Sequence, residues 1–472
     1  MLKPYILTLS SDMETPITLY QKYVRNEQGF LLESKETGTG RYSIIGKSPF
    51  MTFKSRRSKI IIEKEGCIYF EEGSPLEILK KYINAYKIEN DTELPFVGGA
   101  VGTVGYDVVR QYEKLPDFNN ESLELPEIHQ MFVKEVIVYD HYLNKVHLIV
   151  LENITPTGAK IAMKKLYEIK ELIEDSNLQL ESLSDVVFDG QLESNVDQET
   201  FMQQVERAKE YIVEGDIFQV VLSRRVTVDQ PTSSFNLYRH LRQVNPSPYL
   251  FYLNFSTYQV VGSSPEMLVK LNDDNIQTCP IAGTRKRGED RQEDERLAEE
   301  LLHDEKEVAE HVMLVDLGRN DMGKVAKIGS INIKAFKEIK CFSHIIHLVS
   351  LIEGKKKSDV DPFEVLKAFL PAGTLTGAPK IRAMQIIEEL ESDERGIYGG
   401  AIGYFGFDSN MDMCIAIRTM IIHDLKVYLQ AGAGIVADSC PEKEYEETWN
   451  KLKGLLKAIG INEEVIGKEV IK

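Results

Sequence analysis

The chain has 472 residues, with 74 Asp and Glu against 56 Lys and Arg, for a net charge of -18. That length allows two or three domains and a large core; the acidic balance speaks against nucleic-acid binding, which depends on neutralising phosphates, and leaves an anionic substrate in need of local compensation such as a metal ion. The five scattered cysteines lack CxxC spacing, which argues against structural zinc or a disulfide framework, and the lack of a basic leader or a membrane-length apolar run predicts a reduced, cytoplasmic protein with no membrane partner.

Residues 1–170 read as an N-terminal domain. Residues 30–34 and 41–46 have strand character around a polar turn from Lys35 to Gly40, 60–70 is rich in β-branched residues and reads as a strand, and 75–86 has helical spacing. The run Gly98-Gly99-Ala100-Val101-Gly102 is neither GxGxxG nor a P-loop, and close backbone packing at a sheet is its better reading. Residues 136–140 and 145–152 alternate like an antiparallel hairpin. An acidic, polar segment, 171–195, reads as a linker to a second domain at 196–462.

In that second domain, Phe201, Val205, Ala208 and Ile212 share one helical face, and Gly215 stops the helix. Strands are predicted at 217–226, 249–255 and 259–262, with a helix at 235–244 closed by the turn Asn245-Pro246-Ser247-Pro248. The segment 280–285 reads as a turn, 293–302 and 305–317 as helices ending near Gly318-Arg319-Asn320-Asp321, and 363–369 and 378–390 as helices around Gly373-Thr374. Strands at 331–335, 345–352, 400–407, 413–422 and 426–431 complete the pattern. Strands and helices alternate in irregular blocks, which predicts an α+β fold of mixed, mainly antiparallel sheets forming a sandwich-like core with helices packed outside.

The densest chemistry lies at the C-terminal end. An apolar run leads into a small-residue loop, Gly432-Ala433-Gly434, and then into a helix with Pro441 in its first turn and Ser439 or Asp438 as cap. Glycine N–H groups beside a helix start suit an anion. Glu444 and Glu447 lie at i and i+3 on that helix and share a face, with Lys451 one turn on. A single such pair is usually a solvated face. A second pair, Glu307 and Glu310, repeats the spacing, and two facing helices of this kind would suit Mg2+, a hard ion that takes oxygen ligands.

Together these segments resemble the chorismate-utilising enzymes. The match runs in order through residues 280–285, 307–321, 373–380, 395–404, 416–419 and 430–451, and extends to Leu31-Leu32-Glu33-Ser34 and Arg41-Tyr42-Ser43 near the start. The resemblance implies that chorismate, a dianion, is the substrate. Glu310 and Glu447 would be direct Mg2+ ligands, with Glu307 and Glu444 holding ion-bound waters. Glu266 would be the general acid for the leaving hydroxyl, and His347 the group near the ring proton, abstracting it or orienting the ring. Arg418 and Tyr398 would anchor the enolpyruvyl carboxylate, with N–H groups from Gly432, Ala433 and Gly434; Thr374 and Lys451 match further polar contacts.

Two positions separate the branches. Members that add water carry lysine where this chain has Gln219, and the aminodeoxychorismate branch carries lysine where it has Ala282. Both point to the branch that adds ammonia and releases pyruvate as anthranilate forms, ahead of aminodeoxychorismate, isochorismate or salicylate synthesis. The resemblance also implies tryptophan feedback at Leu32, Glu33, Ser34, Asn245, Pro248, Tyr249 and Leu250, and ammonia from a separate glutamine amidotransferase subunit, since no glutamine-hydrolysing segment is recognisable here.

Overall fold

A computed structural model describes residues 2–34, 40–120, 123–175, 177–188, 190–341 and 345–461. Two large antiparallel sheets form its centre. The first runs, from edge to edge, through Leu2–Ser10, Lys145–Asn153, Glu135–Asp140, Tyr42–Lys47, Gly29–Glu33, Tyr249–Asn254, Gln259–Ser264, Thr419–His423, Lys426–Ile435, Gln219–Asp229 and Leu192–Ser194. The second runs through Ile281–Lys286, Ile345–Lys355, Asn275–Thr278, Met267–Asn272, Met411–Ile415, Ala401–Gly406, Gly99–Val104, Ile128–Val133, Met51–Arg56, Lys59–Lys64 and Cys67–Glu72. Each sheet takes strands from both sides of the 171–195 segment: Gly29–Glu33 pairs with Tyr249–Asn254, and Gly99–Val104 with Ala401–Gly406.

The period-two alternation of these strands puts one apolar face of each sheet against the other. Phe30, Ile44, Phe251 and Val260 of the first sheet share a core with Phe53, Val101, Met131 and Met413 of the second. His129 of the second sheet stacks on Phe255 at 4.0 Å, and its Nδ1 lies 2.9 Å from the Tyr258 hydroxyl. The other face of the first sheet is covered by helices Pro156–Glu174, Gln198–Val213, Ser234–Val244, Lys380–Leu390 and Pro441–Ala458. The expected sandwich-like α+β architecture is what forms. Gly99 and Gly102 sit where a Cβ would meet the Phe405 and His129 carbonyl oxygens at 2.1 and 1.9 Å, so that glycine run serves close packing, as read.

Several local expectations are corrected. Residues 60–70 are two strands, because Glu65 and Gly66 make a turn at positive φ (51° and 79°). The helix expected to end near 318–321 is Glu305–Val325 and continues through that motif: Met322 and Val325 are buried, and Asp321 is held by Lys380 at 2.5 Å. The turn at 280–285 is a strand with an irregularity between Ala282 and Thr284. The last helix is capped by Cys440, while Ser439 Oγ accepts the Val436 N–H at 3.0 Å. The turn at 35–39 lies outside the described residues, although its flanking strands pair in register.

One correction positions the site. Residues 413–422 are two strands in different sheets, Met411–Ile415 and Thr419–His423. The chain makes the reverse passage between Gln259–Ser264 and Met267–Asn272. The two crossovers bind each other: the Ser263 N–H donates to the Arg418 carbonyl at 3.1 Å, and the Ile415 N–H to the Glu266 carbonyl at 3.0 Å. Glu266 and Arg418, 152 positions apart in the chain, thus meet at the seam between the sheets.

Candidate active site

Glu266 is almost completely buried, and the Thr374 hydroxyl donates to its Oε1 at 3.1 Å. Burial pushes its carboxyl up to about 7, against the opposing pull of Thr374 and of the Lys451 and Arg418 charges. Arg418 has φ of 49°, left-handed for a non-glycine residue, a strain that tends to be kept where function needs it. Burial lowers its pKa, and the Glu266 charge opposes that. Among the described residues its guanidinium has no hydrogen-bond or ion-pair partner, which leaves it chemically able to meet an anion. Thr374 stands in the short helix Gly373–Thr376, which brings it to the seam.

His347, on Ile345–Lys355, meets the Gly283 carbonyl through Nδ1 at 2.8 Å. A carbonyl only accepts, so Nδ1 carries the proton and the basic lone pair belongs to Nε2. Burial, and to a lesser extent the Arg418 charge, depresses its pKa against the opposing Gly283 hydrogen bond, which favours the neutral ring. Gly283, with φ of 67°, lies with its Cα against Glu307: a Cβ there would stand 3.3 Å from Oε2. This glycine joins the histidine to the carboxylates, a link that the Ala282-Gly283-Thr284 sequence did not disclose.

The carboxylates come from two helices, as spacing predicted. The Glu310 pKa is raised by burial and then by Glu307 and Glu447, and that of Glu444 by burial and by Glu447. Glu307 also takes Arg285 at 3.3 Å, and Glu447 takes Lys451 at 2.7 Å. Among the described residues no three Asp, Glu, His or Cys side chains are already gathered as ligands. The donor set itself fits a hard divalent cation: it is all carboxylate oxygen, and the neighbouring carboxylate charges add to burial in raising Glu310 and Glu444, as like charges do when brought together. Lys451 also donates to the Gly432 carbonyl at 2.9 Å, and its charge acts on Glu266, Glu310 and Glu444 alike.

Gly432, Ala433 and Gly434 are not a loop; they belong to strand Lys426–Ile435, opposite Ser223, Leu222 and Val221. Ser223 N–H turns away to Glu391, and the Val221 carbonyl to Arg395, so Gly432 and Gly434 present their polar groups on the open edge while Ala433 points back into the ladder. The Tyr398 hydroxyl lies beside Gly432, 3.1 Å from where a Cβ would stand. Gln219 lies against Gly434, its Nε2 2.8 Å from such a Cβ, and buried Ala282 precedes Gly283.

The other expected cluster lies along adjacent strands but is divided between the two faces of the first sheet. Sheet pairing sets Glu33 opposite Leu250 and Leu32 opposite Phe251. Leu32 and Tyr249 pack on the core between the sheets. Glu33 points to the opposite face, where it accepts from Tyr238 at 2.8 Å and Arg242 at 2.7 Å. Tyr249 donates to Asp412 at 2.9 Å, and the Asn245 carbonyl accepts from Ser263. Pro248 and Ser34 are partly buried beside them.

Known proteins resemble this chain over nearly its whole length. Residues 27–457 match the family described as chorismate binding enzyme, and the chain belongs to that family. It is 49% identical to anthranilate synthase component 1 of Acetivibrio thermocellus, over 97% of this chain and 95% of that protein. Among solved structures, anthranilate synthase component I from Streptococcus pneumoniae TIGR4 superposes with a TM-score of 0.78 at 37% identity, covering 89% of this chain and 93% of that one. MenF, the menaquinone-specific isochorismate synthase of Escherichia coli, shares the fold with a TM-score of 0.75 at 19% identity, covering 97% of this chain and 95% of that one.

Proposed function

We propose that this chain is the chorismate-converting subunit of an anthranilate synthase, forming anthranilate and pyruvate from chorismate and ammonia with Mg2+ in the cytoplasm. The observation that carries this reading is the seam itself: a buried acid, Glu266, raised to about 7, beside a guanidinium with no hydrogen bond or ion pair among the described residues. Near-full-length similarity to proteins named anthranilate synthase component 1 supports it.

Arg418, Tyr398 and the open-edge N–H groups of Gly432 and Gly434 hold the enolpyruvyl carboxylate. Glu310 and Glu447, with Glu307 and Glu444 beside them, would hold Mg2+. When bound, the ion supplies charge neutralisation at the ring carboxylate. Glu266 gives its proton to the leaving hydroxyl as ammonia adds, Thr374 orients that carboxyl, and neutral His347 offers Nε2 to the ring proton lost as pyruvate departs. Gln219 carries no basic nitrogen to activate water, and Ala282 offers no amine to attack the ring, which favours free ammonia over the water-adding and aminodeoxychorismate branches.

A partner supplies the ammonia. The isolated chain with chorismate and Mg2+ should make fluorescent anthranilate from ammonium salts and none from glutamine; adding a glutamine amidotransferase subunit should confer glutamine use. Glutamine-dependent activity of the isolated chain would overturn this arrangement.

We also propose that residues 1–170 contribute a tryptophan feedback site with Leu32, Glu33, Ser34, Asn245, Pro248, Tyr249 and Leu250. Ser34→Phe would add about 100 Å3 at a partly buried position and crowd its neighbours. Its expected result is loss of tryptophan inhibition with kcat within about twofold of the parent; unchanged inhibition would count against the site.

A further inference from the structure

We propose that Arg395 is the positioning residue of the substrate anchor: its guanidinium, paired with Glu391, sets Tyr398, the Thr374 segment and the strand behind Gly432–Gly434 in one fixed arrangement. This rests on the reading of Tyr398 and Gly432 as chorismate contacts.

The pair is buried, with side-chain exposures of 1% and 5%. Nη1 of Arg395 donates to the Leu375 carbonyl at 2.6 Å, one residue after Thr374. Nη2 donates to the Val221 carbonyl at 2.7 Å, opposite Gly434 in the ladder. Nε and Nη2 reach the Glu391 carboxylate at 2.9 and 2.5 Å. Glu391 Oε1 in turn accepts Ser223 N–H at 2.7 Å and Ser223 Oγ at 2.9 Å, opposite Gly432. The guanidinium carbon lies 4.8 Å from the Tyr106 ring centre and 5.9 Å from that of Tyr398, whose N–H donates to the Arg395 carbonyl at 3.1 Å.

Every group that Arg395 and Glu391 hold is thus a neighbour of a group assigned to the substrate. A buried ion pair is a poor device for stability alone, since apolar residues of similar volume often do as well. What apolar residues lack is a rigid fork with five donors in a plane. Lysine keeps the charge but has three rotatable donors on one atom, so Arg395→Lys removes the fork and leaves the ion pair.

The test is a cycle of Arg395→Lys, Tyr398→Phe and the double variant, assayed with ammonium as nitrogen source and melted in parallel. The expected result is a melting temperature within about 4 °C of the parent, a chorismate KM raised roughly tenfold, an unchanged ammonium KM, and a double variant no worse than the poorer single. An unchanged chorismate KM, or single effects that multiply in the double variant, would overturn the proposal. Should Arg395→Lys fail to fold, Glu391→Gln, which loosens the same fork, takes its place with the same expected and contrary results. If the parent itself makes no anthranilate, the functional reading fails; if the parent is active and the variants keep its chorismate KM, only the role of Arg395 falls.

Discussion

Glu266→Gln is expected to lower kcat by roughly 10²–10⁴-fold and at the same time to stabilise the folded chain at mildly alkaline pH. Both effects come from one feature, a carboxyl raised by burial from 4.5 to about 7. As an acid it works only when protonated, so the kcat/KM of the parent, which reports the free enzyme, falls as pH rises through about 7. A bound dianion disfavours its ionisation further, so the limb in kcat lies at higher pH. The folded value lies above the unfolded one, so the proton is held more tightly in the folded state. The corresponding stability is fully present below the unfolded value of 4.5 and is lost as pH rises through about 7. Above that range the ionised side chain costs the fold roughly 3 kcal/mol. Glutamine does not ionise and its oxygen still accepts from Thr374. The variant should therefore match the parent in urea unfolding near pH 4, exceed it by up to about 3 kcal/mol near pH 8, and show no alkaline limb from this group. Equal stability at both pH values, or near-parental kcat, would contradict the acid role.

Replacing either Glu310 or Glu447 by glutamine is expected to cost on the order of 10³-fold in Mg2+-dependent activity, comparable to removal of a main electrostatic element from an active site. Burial first, and then the Glu307 and Glu447 charges, raise the Glu310 pKa, a repulsion between the two helices that a divalent cation would relieve. Added Mg2+ should accordingly raise the melting temperature of the parent, as any ligand specific to the folded state does. It should do so little or not at all in the variants. That readout separates loss of the ion from loss of chemistry. Full activity and an undiminished Mg2+ shift in both variants would remove the metal assignment.

The fold was legible wherever the signal was local. Alternation in Glu135–Asp140 and Lys145–Asn153, helical spacing in Gln198–Val213, and the i, i+3 carboxylates on two helices all followed from side chains a few residues apart. The glycines were harder. Gly432 and Gly434 look like a loop because they lack side chains to alternate, yet they lie in a strand because Gln219–Asp229 supplies a partner more than 200 residues upstream. Spacing also hid the break at residues 416–418: both flanking segments are apolar and strand-like, and only sheet membership separates them.

The candidate roles of single side chains at the site came from the family resemblance and much less from physics alone. Glu266 after Ser-Pro and Arg418 in an apolar strand each have an ordinary explanation, and what joins them is a pair of crossovers that no spacing encodes. The Thr374–Glu266 hydrogen bond, the Gly283 carbonyl on His347 and the Arg395–Glu391 hub are contacts between distant segments of the same kind. The run Glu388-Glu389-Leu390-Glu391-Ser392-Asp393-Glu394-Arg395 is charged almost throughout, so nothing in the sequence marked Glu391 and Arg395 as the pair that is buried.

The most direct test is the mass and identity of the product. The purified chain, chorismate, Mg2+ and an ammonium salt should give anthranilate and an equal amount of pyruvate, and chelation of the ion should abolish both. An amino product that keeps its enolpyruvyl group, or a hydroxylated product with no nitrogen, would contradict the account and place the chain in another branch of the family.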